Sequence, residues 1–244
     1  MFGLKLAALY GFYPHQLGFC GPQRGSVKKT LFSYLAGKKV SEKTIRKILA
    51  GFKGAFSYYK LIAESNNIED PFNEKVVKAY WLGNQLLEKV PIDSLKEMII
   101  KEFTMPGFLS KEVAKKKAKE IPLTSKPHHS FQVLVIGSVS GRVVLKGKLL
   151  DLCRIGWGKV IAHKIEEERG KKIVIVEYQP LQNRANRYFL GKSIRKPVFW
   201  HSSFIPEVKI RDWCAIHWNH VVQILNQKDL SQLKKYSQIT IDSL

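Results

Sequence analysis

The hydrophobic period of this chain changes once, at Pro122–Pro127, and that switch constrains its fold more than any other feature. Before it, apolar residues recur at three and four. Ile45, Ile48, Leu49, Phe52, Phe56, Tyr59 and Ile62 make one such stripe, interrupted by Gly51 and Gly54, which suit close packing of a neighbour. Val76 to Val90, stopped by Pro91, and Ile92 to Phe103 make two more, and shorter helices fit Leu4–Tyr10, Val27–Leu35 and Ser110–Glu120. After the switch, Phe131–Ile136, Arg142–Leu145, Leu149–Ile155, Lys159–Lys164 and Lys172–Tyr178 are β-branched or alternating runs, and Glu166–Glu168 before Arg169-Gly170 marks a hairpin tip. Helical spacing returns from Asp229 to Ile239. The expectation is an α+β chain: a helical domain at 1–125, then a small OB-like β-barrel domain with a C-terminal helix at 128–244.

Composition excludes several classes. With 45% hydrophobic residues the 244-residue chain can bury a real core. No apolar run reaches the roughly 18 residues needed to span a bilayer, and Met1 to Gly11 reads as a helix rather than a signal peptide. Three widely spaced cysteines, Cys20, Cys153 and Cys214, suit reduced thiols in the cytoplasm. The net charge of +21 is divided almost equally between the two halves, so it reads as general basicity rather than a built face. Two clusters stand out locally: Lys115 to Lys119, and the acid-free segment Arg184, Arg187, Lys192, Arg195 and Lys196, interleaved with Tyr188 and Phe189. Stacking rings among cations are what a single nucleic-acid strand needs, so an RNA-binding module is the competing expectation.

Two short signatures carry the chemistry. Cys-Arg-Ile-Gly-Trp-Gly-Lys-Val at 153–160 sets a thiol ahead of a Gly-x-Gly turn, with Arg154 and Lys159 beside it and Gly158 allowing close backbone approach. Val-Lys-Ile-Arg-Asp-Trp-Cys-Ala-Ile-His at 208–217 is an acidic turn at Asp212 feeding a strand that ends at His217. Cys214, His217 and His220 do not share a strand face, so a closed zinc site from those three is not expected. Walker, zincin, nucleophile-elbow and paired CxxC motifs are all absent. A thiol enzyme would need Cys153, His217 and Asp212 to converge.

Together the two signatures resemble the HypC-type chaperones of nickel-iron hydrogenase maturation, which begin Cys-Leu-x-x-Pro-Gly-Lys-Val and close Val-x-x-Gly-Asp-Tyr-Val-x-Val-His. The resemblance covers the last ninety to one hundred residues, roughly. It implies a non-catalytic accessory protein with protein partners in hydrogenase assembly. Cys153 would be the ligand of a transient iron fragment, Fe(CN)2CO, or a partner contact, supported by His217, and no cofactor would be tightly bound. Three departures accompany it. Trp157 replaces the family proline, and Arg211 replaces the glycine before the aspartate. Cys153 is also internal, whereas the family cysteine becomes N-terminal. Tyr13 to Pro22, Tyr80 to Asn84 and His128-His129-Ser130-Phe131 further resemble an uncharacterised family encoded beside hydrogenase genes.

Overall fold

The structure, a computed structural model, describes residues 2–105, 107–168, 171–185 and 187–244, and the side chains of these except 165–168 and 171. Among these residues the first half holds seven α-helices, α1 (Phe2–Gln16), α2 (Gly25–Leu35), α3 (Glu42–Ala50), α4 (Lys53–Glu64), α5 (Glu74–Leu82), α6 (Ile92–Glu102) and α7 (Lys111–Lys119), with a 3-10 turn at Gln85–Lys89 where the apolar spacing continues the α5 helix to Val90. Ser41, Asn73 and Ser110 cap α3, α5 and α7 by accepting from free backbone N–H groups. The single stripe expected from Ile45 to Ile62 is two helices, broken at Gly51 and Phe52 because Pro22 packs where a Gly51 side chain would stand.

The second half begins differently from the expectation. Phe131–Ile136 and Leu149–Ile155 read as strands, yet α8 (His129–Phe131) runs into a π-helical turn at Gln132–Ile136, and α9 (Lys148–Cys153) is helical. Arg142–Leu145 forms no strand either. The first and last of these runs are largely buried and have no informative period, so tertiary packing decided them, whereas Arg142–Leu145 is exposed or half-buried and pairs with no strand. The Gly-x-Gly turn is likewise extended chain inside β1.

Strands then follow: β1 (Gly156–Glu168), β2 (Lys171–Tyr178), β3 (Leu181–Arg184), β4 (Arg187–Leu190), β5 (Ile194–His201), β6 (Trp213–His217) and β7 (His220–Leu225), closed by α10 (Gln227–Asp242); β1, β2 and β6 were expected, whereas the basic segment 184–196, which reads as a loop, forms β4 and parts of β3 and β5. The expected hairpin tip at Arg169-Gly170 lies outside the described residues. Five strands pair in the order β1-β2-β5-β7-β6 and return to β1; the link from β5 to β7 is one parallel pair, Phe199 with His220. β3 and β4 form a separate two-stranded hairpin.

The two halves share one hydrophobic cluster. α1 packs on β7, and α10 packs on α5 and α8. Tyr10 at the centre of α1 donates to Gln223 of β7 at 2.9 Å and stacks on Trp81 of α5 at 4.9 Å. Gly83 ends α5 at φ +86, where an added Cβ would meet the Tyr236 ring of α10. Among the described residues no helix is long and apolar enough to cross a membrane.

Candidate metal centre

The two sequence signatures are neighbours in space. Gly158 of β1 pairs with Cys214 of β6, Val160 N–H donates to Asp212 O at 2.9 Å, and Arg211 N–H returns to Val160 O at 2.8 Å. This ladder sets the end of β6 beside the end of α9. The β6–β7 turn is tied there too, because Trp218 N–H donates to Leu152 O at 2.9 Å.

Three side chains converge at this junction. One ligand atom each from His129, Cys153 and His217 lies within 4.8 Å of the other two, and all three residues are buried. His217 donates through Nδ1 to the Tyr10 carbonyl at 2.8 Å. A carbonyl can only accept, so the lone pair is on Nε2, which is buried with no hydrogen-bond partner. Metal-ligating histidines are oriented by this kind of outer bond. His129 is held at both nitrogens, by the Tyr80 hydroxyl at 3.0 Å and the Cys153 carbonyl at 2.8 Å, so it must release one to become a ligand. Trp81 packs against both imidazoles, with ring centroids 4.4 and 5.8 Å away.

The cluster forms part of the wall of a largely apolar cavity of about 340 Å³. Cys20 and Arg142 are exposed residues of the same wall. The loops that carry them are fastened together, since Arg142 donates to Gly21 O at 2.8 Å and Ser140 to Phe19 O at 3.2 Å.

Burial dominates the protonation states. It pushes the Cys153 thiol well above its ordinary range and His129 well below. His217 falls to about 4, against the opposing pull of the Tyr10 and Cys153 carbonyls, and His128 falls to about 3. Although Cys20 is exposed as a residue, desolvation takes its thiol up to about 11, opposed by Arg142. The site is therefore a neutral thiol between two neutral imidazoles.

A stability prediction follows. An unfolded histidine takes up a proton near its ordinary 6.5, but folded His217 and His128 do so only near 4 and 3. Between those limits the unfolded chain binds more protons, so stability is fully present above 6.5 and falls as pH drops toward 4. Each histidine contributes a slope of up to ~1.4 kcal/mol per pH unit. Urea unfolding from pH 7.5 to 4.5 should show the decline; a flat profile would contradict the buried neutral histidines.

The other expected site residues lie elsewhere, and none of Arg154, Gly158, Lys159 and Asp212 lines the cavity. The Arg154 guanidinium is buried and bound to Asp151 at 3.0 Å, to the Tyr178 hydroxyl at 3.1 Å and to the Gln179 carbonyl at 2.6 Å. Asp151 also accepts from the Tyr178 hydroxyl at 2.8 Å and from Leu181 N–H at 2.7 Å. Gly156 makes room for this network: a Cβ there would stand 2.5 Å from the Tyr178 ring. Lys159 is in register between Glu177 and Trp213, Gly158 packs on Val176, and the Asp212 carboxylate accepts from Lys209 N–H within its turn at 2.7 Å. In the basic segment, Arg184 and Arg187 face each other in register near the β3–β4 tip. They are exposed, as are Lys192 and Arg195. Lys196 instead turns inward over the Tyr178 ring, 3.9 Å from Asp151.

His129 is the site residue that sequence reasoning did not assign. Its signal was the His128-His129-Ser130-Phe131 quartet, whose role depends on Tyr80 and α9 closing around it.

Fold and site together define an α+β protein with a buried histidine–cysteine–histidine cluster on the wall of an apolar cavity. All 244 residues match the model of DUF6390, a family of unknown function, and the chain belongs to that family. No curated protein and no solved structure matches it.

Proposed function

We propose that this protein is a non-catalytic accessory protein of metal-centre assembly, of the HypC-like kind. His129, Cys153 and His217 would receive a soft metal ion or an iron fragment such as Fe(CN)2CO as cargo, for transfer to a protein partner of hydrogenase maturation. The observation that carries this reading is the convergence of the three side chains, with His217 Nε2 buried, unpartnered and oriented from behind by the Tyr10 carbonyl. One thiolate and two imidazoles suit zinc, copper(I) or iron, and three protein donors leave a coordination position for an outside ligand.

Two features support the OB-like barrel and the register of the resemblance. The strand order returns to β1. Arg211 holds φ +78, the left-handed conformation for which the chaperone motif uses glycine. A thiol hydrolase has less support. The Cys153 thiol is held protonated, and His217 is oriented by a carbonyl where a catalytic triad would use a carboxylate. Single-strand binding at 184–196 keeps an exposed Arg184, Arg187 and Phe189 but loses Lys196 to the Asp151 network.

The test is deletion of the gene in a hydrogenase-positive host, with metal analysis of the purified protein alongside. Active hydrogenase should fall while large-subunit transcript holds, and the protein should bind about one equivalent of zinc or iron. Unchanged hydrogenase activity would end the chaperone assignment; absence of metal uptake would end the metal-centre assignment.

A further inference from the structure

The cavity beside the cluster has a chemistry that the metal reading leaves unused. Its volume of about 340 Å³ lies in the range of small-molecule sites, and its lining includes Phe19, Phe52, Tyr59, Trp81, Phe108 and Trp218. Among the described residues no carboxylate lines it, so it offers no formal negative charge to pair with an ammonium group. Polar recognition is confined to few atoms. His217 Nε2 offers a buried lone pair without a partner, and the neighbouring Trp218 has an indole N–H that is also buried and unpartnered. Both residues line the cavity. Leaving two such atoms unpaired is costly, and the two rings that carry them are neighbours, with centroids 6.4 Å apart.

Trp218 is placed there at some cost. It and Asn219 form the β6–β7 turn with φ +50 and +59, a conformation that a large side chain seldom adopts. The bond from Trp218 N–H to Leu152 O fixes the turn against α9. Strain of this kind persists where surrounding structure enforces it, as it does at binding sites.

We propose that the cavity binds an uncharged, largely aromatic or aliphatic organic molecule that carries a hydroxyl. The hydroxyl hydrogen is donated to His217 Nε2, and its oxygen accepts from Trp218 Nε1–H. The apolar body lies against Phe19, Phe52 and Trp81. A carboxylate is the poorer match, because it can only accept and would set its charge against the His217 lone pair. This inference concerns the metal-free protein and does not depend on the metal reading.

The experiment uses the full chain stripped of metal with a chelator, and three probes with one body: p-cresol, toluene and p-toluate. Calorimetry and ligand-observed NMR should give saturable p-cresol binding about tenfold tighter than toluene, the advantage expected of one to two well-made hydrogen bonds. Toluene should still bind, as apolar cavities take such rings. p-Toluate should bind no tighter than toluene. Trp218→Phe should remove most of the p-cresol advantage and leave toluene unchanged. Equal binding of p-cresol and toluene, no saturable binding of either, or a p-cresol advantage untouched by Trp218→Phe would overturn the proposal. Tightest binding by p-toluate would also overturn it, and would assign the cavity to anions at Lys53 and Arg142. Zinc uptake, measured separately, can fail without altering these outcomes, so the two readings are tested apart.

Discussion

Cys153→Ser should leave the protein folded and weaken zinc binding by about 100-fold or more. Thiolate is the only anionic donor in the cluster, and a serine hydroxyl does not ionise to replace it. The fold should tolerate the change, because Cys153 lines a cavity instead of filling a sealed core; a stability loss of about 1 kcal/mol is expected. Cys214→Ser provides the contrast. That thiol is fully buried in β6, away from the cluster, so serine there should reduce stability and leave zinc affinity as it was. Zinc binding by the parent should also release a proton, since burial keeps the Cys153 thiol protonated until the metal arrives. Competition against a chromogenic chelator measures the affinity, and thermal unfolding measures the fold. Equal zinc affinity in parent and Cys153→Ser would remove Cys153 from the site.

Asp151→Ala should be the most destabilising single change in this region, at about 3–5 kcal/mol. It leaves the Arg154 guanidinium, 1% exposed as a side chain, buried without its carboxylate. The Tyr178 hydroxyl and Leu181 N–H lose an acceptor in the same step. Asp151→Asn keeps an oxygen at that position and should cost less. Because a paired buried ion is much cheaper than an orphaned one, removing Arg154 together with Asp151, as Asp151→Leu with Arg154→Met, should recover part of the loss. Urea unfolding of the four proteins decides it; an Asp151→Ala protein as stable as the parent would show that Arg154 finds compensation elsewhere. Cys153 follows Asp151 by two residues on α9, so the same variant should also weaken metal binding.

Much of this was legible in the sequence. Most helices of the first half announced themselves by apolar spacing, although one stripe ran through both α3 and α4 and the helix read to Val90 ends at Leu82; β1, β2, β6 and α10 did so by alternation or renewed helical period. The runs Phe131–Ile136 and Leu149–Ile155 were not legible, because largely buried apolar runs look alike whether coiled or extended. The site was half visible. Cys153 and His217 stood out through the two signatures, and the pairing of β1 with β6 explains why signatures fifty residues apart belong together. His129 stayed hidden because its place depends on Tyr80, the Cys153 carbonyl and α10 packing on α8, contacts too distant in sequence to be read. Arg154 misled for a related reason. Adjacency to Cys153 implied help for the thiol, whereas the backbone between α9 and β1 turns the guanidinium to Asp151 and Tyr178.

The bond from His217 to the Tyr10 carbonyl joins residues 207 positions apart. During synthesis α1 leaves the ribosome long before β6 exists, and until the two meet His217 has nothing to fix its tautomer or aim its lone pair. A nascent or truncated chain therefore has the thiol without the oriented imidazole. On the cargo reading proposed above, competence to take up metal would arrive only with completion of the fold, and half-made copies would not sequester it.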